Sequence, residues 1–93
     1  MIKSFADPDT ELLWDTGKSR RIPANIRSPA LRKLFVLRRA LRLSDLEAPP
    51  GNRLELLKGD RTGQHSIRIN DQFRLCFRWS EGNAYDVEIA DYH

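Results

Sequence analysis

The stretch His65-Ser66-Ile67-Arg68-Ile69-Asn70-Asp71-Gln72-Phe73-Arg74-Leu75-Cys76-Phe77-Arg78-Trp79 alternates apolar and polar residues on both sides of an Asn-Asp pair. Two half-buried antiparallel strands joined by a tight turn read this way, because strand side chains point alternately to opposite faces. In the second strand one face takes Phe73, Leu75, Phe77 and Trp79, and the other takes Arg74, Cys76 and Arg78. In the first, Ile67 and Ile69 oppose Ser66, Arg68 and Asn70. If the apolar sets share one core, Arg68, Arg74 and Arg78 emerge together on the far side of the sheet. Guanidinium groups match phosphate geometry, so such a face suits a polyphosphate. Arginines also keep an exposed sheet solvated, and alternation alone leaves both readings open.

Working outward, Glu81-Gly82-Asn83 forms a second tight turn, and Tyr85, Val87 and Ile89 give a last strand its apolar face. That strand runs straight into Asp91-Tyr92-His93. Upstream, residues 53–58 read as a further strand, separated from the first by a polar loop containing Gly59-Asp60 and Thr62-Gly63. Pro49-Pro50-Gly51 is a rigid break where a helical half ends. In that half, residues 2–5 are a short strand, and Asp7-Pro8-Asp9 is a helix start with cap, proline and acid in order. The helix passes through Leu13 and Trp14, both expected as core anchors, and stops near Gly17. Lys18-Ser19-Arg20-Arg21 is a basic connector and Pro23 marks a turn. Ser28-Pro29 is expected to open the main helix. Ala30, Leu34, Leu37 and Leu41 form its core stripe, with Arg32, Arg39 and Arg42 roughly opposite at ~100° per residue. Those arginines are a solvated face or a second phosphate-contacting surface. The predicted fold is α+β, ordered β-α-α-β-β-β with a further strand possible. It has two N-terminal helices on one face of a mainly antiparallel sheet and the other face free to bind.

Residues 1–93 make one domain, with a single modest core. Sixteen Lys/Arg against thirteen Asp/Glu give a net charge of +3, a mild basic bias toward nucleic acid. One cysteine excludes an intramolecular disulfide, and one cysteine with two histidines does not supply a dedicated zinc site. No cofactor is expected. The N-terminus has no apolar signal region and no run reaches membrane-spanning length, so the expectation is a soluble cytoplasmic protein without membrane association.

No Gly-rich phosphate loop is present, and Cys76 has no neighbouring base to make it a nucleophile. The acid–base and cationic groups of the β half are Glu55, Lys58, Arg61, His65, Arg68, Arg74, Arg78, Asp91, Tyr92 and His93. Metal-free RNA cleavage needs a base for the 2′-hydroxyl, an acid for the leaving 5′-oxygen and cations for the phosphorane. His93, beside its own α-carboxylate and near Asp91, is pushed toward the imidazolium; as a terminal residue it is alternatively frayed and inert. Tyr92 either stacks on a base or caps the core. His65, beside Ile67 and Ile69, reads as a structural histidine.

Pro49-Pro50-Gly51-Asn52-Arg53-Leu54-Glu55, Leu57-Lys58-Gly59-Asp60-Arg61, residues 63–72, Arg74-Leu75-Cys76-Phe77 and the final Asp91-Tyr92-His93 closely resemble the HigB toxins. These are the plasmid maintenance killer branch of the RelE/ParE superfamily. Ile2-Lys3-Ser4-Phe5, Thr10-Glu11 and Arg32-Lys33-Leu34 extend the likeness over the chain. The resemblance implies a RelE-like fold and a ribosome-dependent, metal-independent endoribonuclease that cuts mRNA in the 30S decoding site, leaving a cyclic 2′,3′-phosphate. It also implies a helix-turn-helix antitoxin, HigA, with operator DNA reached only through the toxin–antitoxin complex. By position Lys58 and Arg74 match basic active-site residues, and Asp91, Tyr92 and His93 match the catalytic C-terminal end. Glu55 stands where some ribosome-dependent members carry a histidine, so the proton-transfer pair stays open between Glu55 and His93. Arg61, Arg68, Arg78 and Arg39 are the expected RNA and ribosome contacts. The alternative is a ParE-like inhibitor of DNA gyrase, or a weakly toxic member acting mainly in operon autoregulation; the Lys58, Arg74 and His93 set argues against it.

Overall fold

A computed structural model describes residues 1–91 of the chain, so the expectations for Tyr92 and His93 lie outside the described residues. Helix α1 spans Pro8–Thr16 and α2 spans Ala24–Arg39; β1 is Glu55–Leu56, β2 His65–Arg68, β3 Phe73–Ser80 and β4 Asn83–Asp91. The strands form one sheet in the order β1-β2-β3-β4, every neighbour antiparallel. Both helices pack on one face of it. The α+β architecture read from the sequence is the one the chain adopts.

Helix α1 starts and stops where expected. The Asp7 carboxylate accepts from Thr10 N at 3.3 Å, and Gly17 turns left-handed (φ 80) while its N–H donates to the Leu13 carbonyl at 2.7 Å. Helix α2 differs from expectation. It begins at Ala24, right after Pro23, and Pro29 lies inside it. The missing proline N–H deprives the carbonyl of Asn25 of its helical donor, and that residue is exposed, where solvent is a ready substitute. In return the earlier start carries Ile26 into the core, and the stripe becomes Ile26, Ala30, Leu34 and Leu37. Leu41 is not part of it. Ala40 breaks out of the helix (ψ 132), and the Asp45 carboxylate takes the N–H groups of Leu41 and Arg42 at 2.9 and 3.0 Å, leaving Leu41 79% exposed. Those donors, Arg42 first and then Leu41, hold the Asp45 carboxyl below its ordinary range.

The main core lies between helices and sheet, around Leu13, Ile26, Leu34, Leu37, Leu46, Ile67, Leu75, Phe77 and Val87. Residues 2–5 run parallel to β4 but join it only by isolated bridges, Ile2 to Ala84 and Phe5 to Val87. Asp86, with φ 52, bulges β4 between those two bridges and breaks the ladder. The same bulge places Ala84, Val87 and Ile89 toward the core and Tyr85 opposite Arg78, correcting the expected inward set of Tyr85, Val87 and Ile89. Two further corrections concern the outer sheet face. The strand expected over residues 53–58 contracts to Glu55–Leu56. The chain then turns Leu57 over the sheet, with Leu57 N donating to the Gln64 carbonyl at 2.9 Å, and Leu57, Cys76 and Ala90 form a second small buried cluster. Part of the outer face is therefore closed. Burial pushes the Cys76 thiol upward, which further removes it from nucleophilic chemistry. Among the described residues no helix is long and apolar enough to cross a membrane.

Candidate active-site face

Strand register decides what meets on the outer face. Glu55 pairs with Ser66, Ser66 with Cys76 and Cys76 with Glu88, making one row; Arg68 pairs with Arg74, and Arg74 with Ala90, making the next. Two guanidinium groups directly opposite one another repel unless each finds its own partners. Arg74 finds them inside the sheet. Its Nε donates to Ser66 Oγ at 2.7 Å, and its Nη2 donates to the Arg53 carbonyl at 2.6 Å and more weakly to the Ser66 carbonyl at 3.5 Å. The Glu55 carboxylate is farther away, at 3.8 Å, and the Arg74 side chain is only 12% exposed against 58% for Glu55. Arg74 is thus fixed before any ligand arrives.

The other arginines of this face are also in ion pairs. Arg68 pairs with Asp71 across the turn, Arg61 Nη1 meets Glu88 at 2.6 Å and Gln64 at 3.1 Å, and Arg78 Nε lies 3.5 Å from Asp86. The face is therefore charge-balanced: the three arginines expected there, Arg68, Arg74 and Arg78, and Arg61 from the Gly59–Arg61 turn each have a carboxylate. Exposed pairs such as Arg78–Asp86 contribute at most about 1 kcal/mol and exchange readily for a phosphate. Lys58 differs. It is exposed at the start of the turn Gly59–Arg61, and its ammonium has no partner among the described residues.

The structure thus brings Glu55, Arg61, Arg68, Arg74 and Arg78 to one face, with Lys58 on the loop that follows β1. It does not bring Asp91 there. Asp91 pairs with Phe73, on the side that looks toward the helices, and accepts from Gln72 Nε2 at 3.0 Å. It borders a recess shared with Asp7, Asp9 and Arg21. Arg39 is also elsewhere, exposed on α2 in the helix layer. Tyr92 and His93 lie outside the described residues. Among the described residues no group of three or more His, Cys, Asp or Glu is placed to hold a metal ion.

Two contributors escaped sequence reasoning. Ser66 looked like one more polar-face residue, yet it is fully buried and anchors Arg74. Its signal was its place two residues from Arg68, the cross-strand partner of Arg74, which makes Ser66 the diagonal neighbour. The Arg53 carbonyl had no side-chain signal at all. His65 is half-buried and stacks on Phe77 at 6.2 Å with Nδ1 buried and unpartnered among the described residues; burial lowers its pKa. It is the structural histidine the sequence suggested.

A family model described as "RelE-like toxin of type II toxin-antitoxin system HigB" matches residues 3–93. Toxin HigB-1 of Vibrio cholerae serotype O1 is 44% identical over 90 residues, covering 96% of this chain and 95% of its own. A protein of Proteus vulgaris named Endoribonuclease HigB is 32% identical over 93 residues, covering 100% of both chains. Among solved structures, a YoeB–YefM complex from Staphylococcus aureus superposes with a TM-score of 0.60 at 18% identity, covering 100% of this chain and 98% of that one. A YoeB/ParE toxin from Agrobacterium tumefaciens gives 0.51 at 20% identity, covering 98% and 99%. At those identities the structural likeness speaks for the fold, while the full-length family match and the two relatives speak for descent: the chain belongs to the HigB family of RelE-like toxins of type II toxin-antitoxin systems.

Proposed function

We propose that this toxin is an endoribonuclease that cuts mRNA on the ribosome without a metal, and that a HigA-type helix-turn-helix antitoxin neutralises it. The observation that carries the reading is Arg74, clamped by Ser66 and the Arg53 carbonyl beside Glu55, with Lys58 on the loop after β1. A cation held in place before the reaction stabilises developing charge without reorganising. In the proposed reaction a base, Glu55 or His93, removes the proton of a 2′-hydroxyl, and the 2′-oxygen attacks the adjacent phosphorus. Arg74 and Lys58 balance the charge on the phosphorane. The bond to the 5′-oxygen breaks as that oxygen takes a proton from the other member of the pair, leaving a 2′,3′-cyclic phosphate. Asp91 acts from the strand end that leads into Tyr92 and His93, and Tyr92 stacks on a base of the message. The printed name of the Proteus vulgaris relative supports the activity, and its full-length match supports carrying it over.

In this reading the ribosome supplies orientation: with few proton-transfer groups of its own, the site needs the 2′-hydroxyl presented in line. Arg61, Arg68 and Arg78 exchange their carboxylates for phosphates of RNA, Arg39 contacts ribosomal RNA from the helix layer, and the protein works in the cytoplasm. Operator DNA is reached only through the antitoxin complex. Purified protein, added to a cell-free translation reaction with and without ribosomes, tests this by mapping of mRNA ends. Cleavage that requires ribosomes supports the reading. Efficient cutting of free RNA contradicts the ribosome requirement. Intact message together with loss of gyrase supercoiling would move the assignment to the gyrase-inhibitor reading.

A further inference from the structure

Behind Arg74 a line of contacts leads back to α2. Asn52 is completely buried, a state an amide side chain tolerates only when its polar atoms are bonded. Its Nδ2 donates to the carbonyls of Leu46 at 3.3 Å and Ala48 at 3.1 Å, and its Oδ1 accepts from Lys33 Nζ. Around it the backbone closes two turns, with Asn52 N on the Pro49 carbonyl at 2.9 Å and Arg53 N on the Pro50 carbonyl at 3.2 Å. Arg53 is thereby held left-handed, at φ 46 and ψ 57. That conformation is unfavourable for a residue bearing a Cβ, so it persists only where its surroundings impose it. The outcome of this turn is the Arg53 carbonyl 2.6 Å from Arg74 Nη2. Lys33 stays beside Asn52 although burial and the nearby charges of Arg32 and Arg68 all act against its ammonium form.

We infer that Asn52, braced by Lys33, is a positioning residue that fixes the turn over residues 50–53 and, through the Arg53 carbonyl, sets the orientation of the Arg74 guanidinium. The inference rests on the role proposed for Arg74 at the scissile phosphate. With Nε on Ser66 Oγ and Nη2 on the Arg53 carbonyl, the planar guanidinium is held at two points, and swinging of the plane about the side-chain torsions that carry it is restrained. Nη1 has no partner among the described residues, which leaves it for a phosphate oxygen. If Asn52 served only to tie residues 43–52 to α2, loosening it would leave Arg74 as it was.

The difference is measurable at Arg74 itself. In the full chain carrying ¹⁵N-arginine, the Arg74 Nε–Hε signal is assigned by its loss in Arg74→Lys. Its solvent exchange is then compared in wild type, Asn52→Ala and Lys33→Met. Lys33→Met is the milder change, since it leaves the Asn52 amide on its two carbonyls. Loss of the Nη2 anchor on the Arg53 carbonyl, a hydrogen bond of ordinary strength, should loosen the whole guanidinium and so speed Arg74 Nε–Hε exchange on the order of tenfold in both variants, with backbone amide shifts confined to the neighbourhood of residues 43–53. Single-turnover mRNA cleavage at saturating ribosomes should fall by a similar factor. Unaltered Arg74 exchange in folded variants overturns the inference whatever cleavage does, and a loosened Arg74 with full cleavage rate overturns it as well. Wild-type protein that fails to cleave would sink the functional reading alone, while the exchange measurement would still decide whether Asn52 positions Arg74.

Discussion

Arg74 Nε and Nη2 rest on neutral acceptors supplied by the chain, so the guanidinium is placed before RNA is present. Groups preorganised in this way are worth about 10²–10³-fold in rate. Arg74→Ala should therefore lose cleavage by about that factor, measured as single-turnover cleavage on ribosomes below the variant's melting temperature, which should itself fall because buried Ser66 Oγ loses its donor. Arg74→Lys should not restore activity, because an ammonium cannot reproduce the planar contacts to Ser66 and the Arg53 carbonyl. Full activity in the lysine variant would show that charge alone suffices. His93 belongs to the same scale although it lies outside the described residues. Its change to Gln should cost about 10²–10⁴-fold, as expected of a general acid or base, with antitoxin binding unchanged. If His93→Gln retains full toxicity, the proton-transfer role moves to Glu55. The roles proposed for Lys58, Arg74 and His93 come from the family resemblance alone. Ser66 and Asn52 were not readable, because burial of a small polar residue has no signature in alternation.

At the scale of elements, β2 carries a built-in pH dependence. His65 is held neutral by burial against Phe77, so its folded pKa lies below the ordinary value near 6.5. The unfolded chain then binds a proton that the folded one refuses. Stability is fully present above pH ~6.5 and declines as pH falls below it. Thermal melts between pH ~7 and ~5.5 should show a falling midpoint, and His65→Gln should flatten that slope; an equal slope in both proteins would assign it to other groups. The elements also show what local sequence conveys. Helix α1 was legible because cap, proline and terminal glycine each act within their own turn. Helix α2 was misplaced at both ends, since Ser28-Pro29 has the chemistry of a start and yet burial of Ile26 and Ala40 outweighs it. The bulge at Asp86 was invisible because a positive φ at an aspartate is set by its surroundings, here with Asp86 N on Ser4 Oγ at 2.9 Å.

Across the whole molecule the positive charge is distributed unevenly. The four sheet-face arginines are balanced by carboxylates, whereas α2 carries Arg27, Arg32, Lys33, Arg38 and Arg39 and no acidic residue. Association with ribosomal RNA should thus weaken steeply with salt, and replacing Arg32 and Arg39 with Gln should lower the slope of log affinity against log salt by about 0.7 per lost phosphate contact. A slope unaffected by both changes would place the RNA contacts away from α2. The central claim is that this face cuts mRNA only when the ribosome presents it. Its most direct measurement is primer extension on a reporter mRNA incubated with wild-type or Arg74→Ala protein, in the presence or absence of translating ribosomes. The account predicts new 5′ ends only with wild-type protein and ribosomes together; ends of equal yield on free RNA, or with Arg74→Ala, would contradict it.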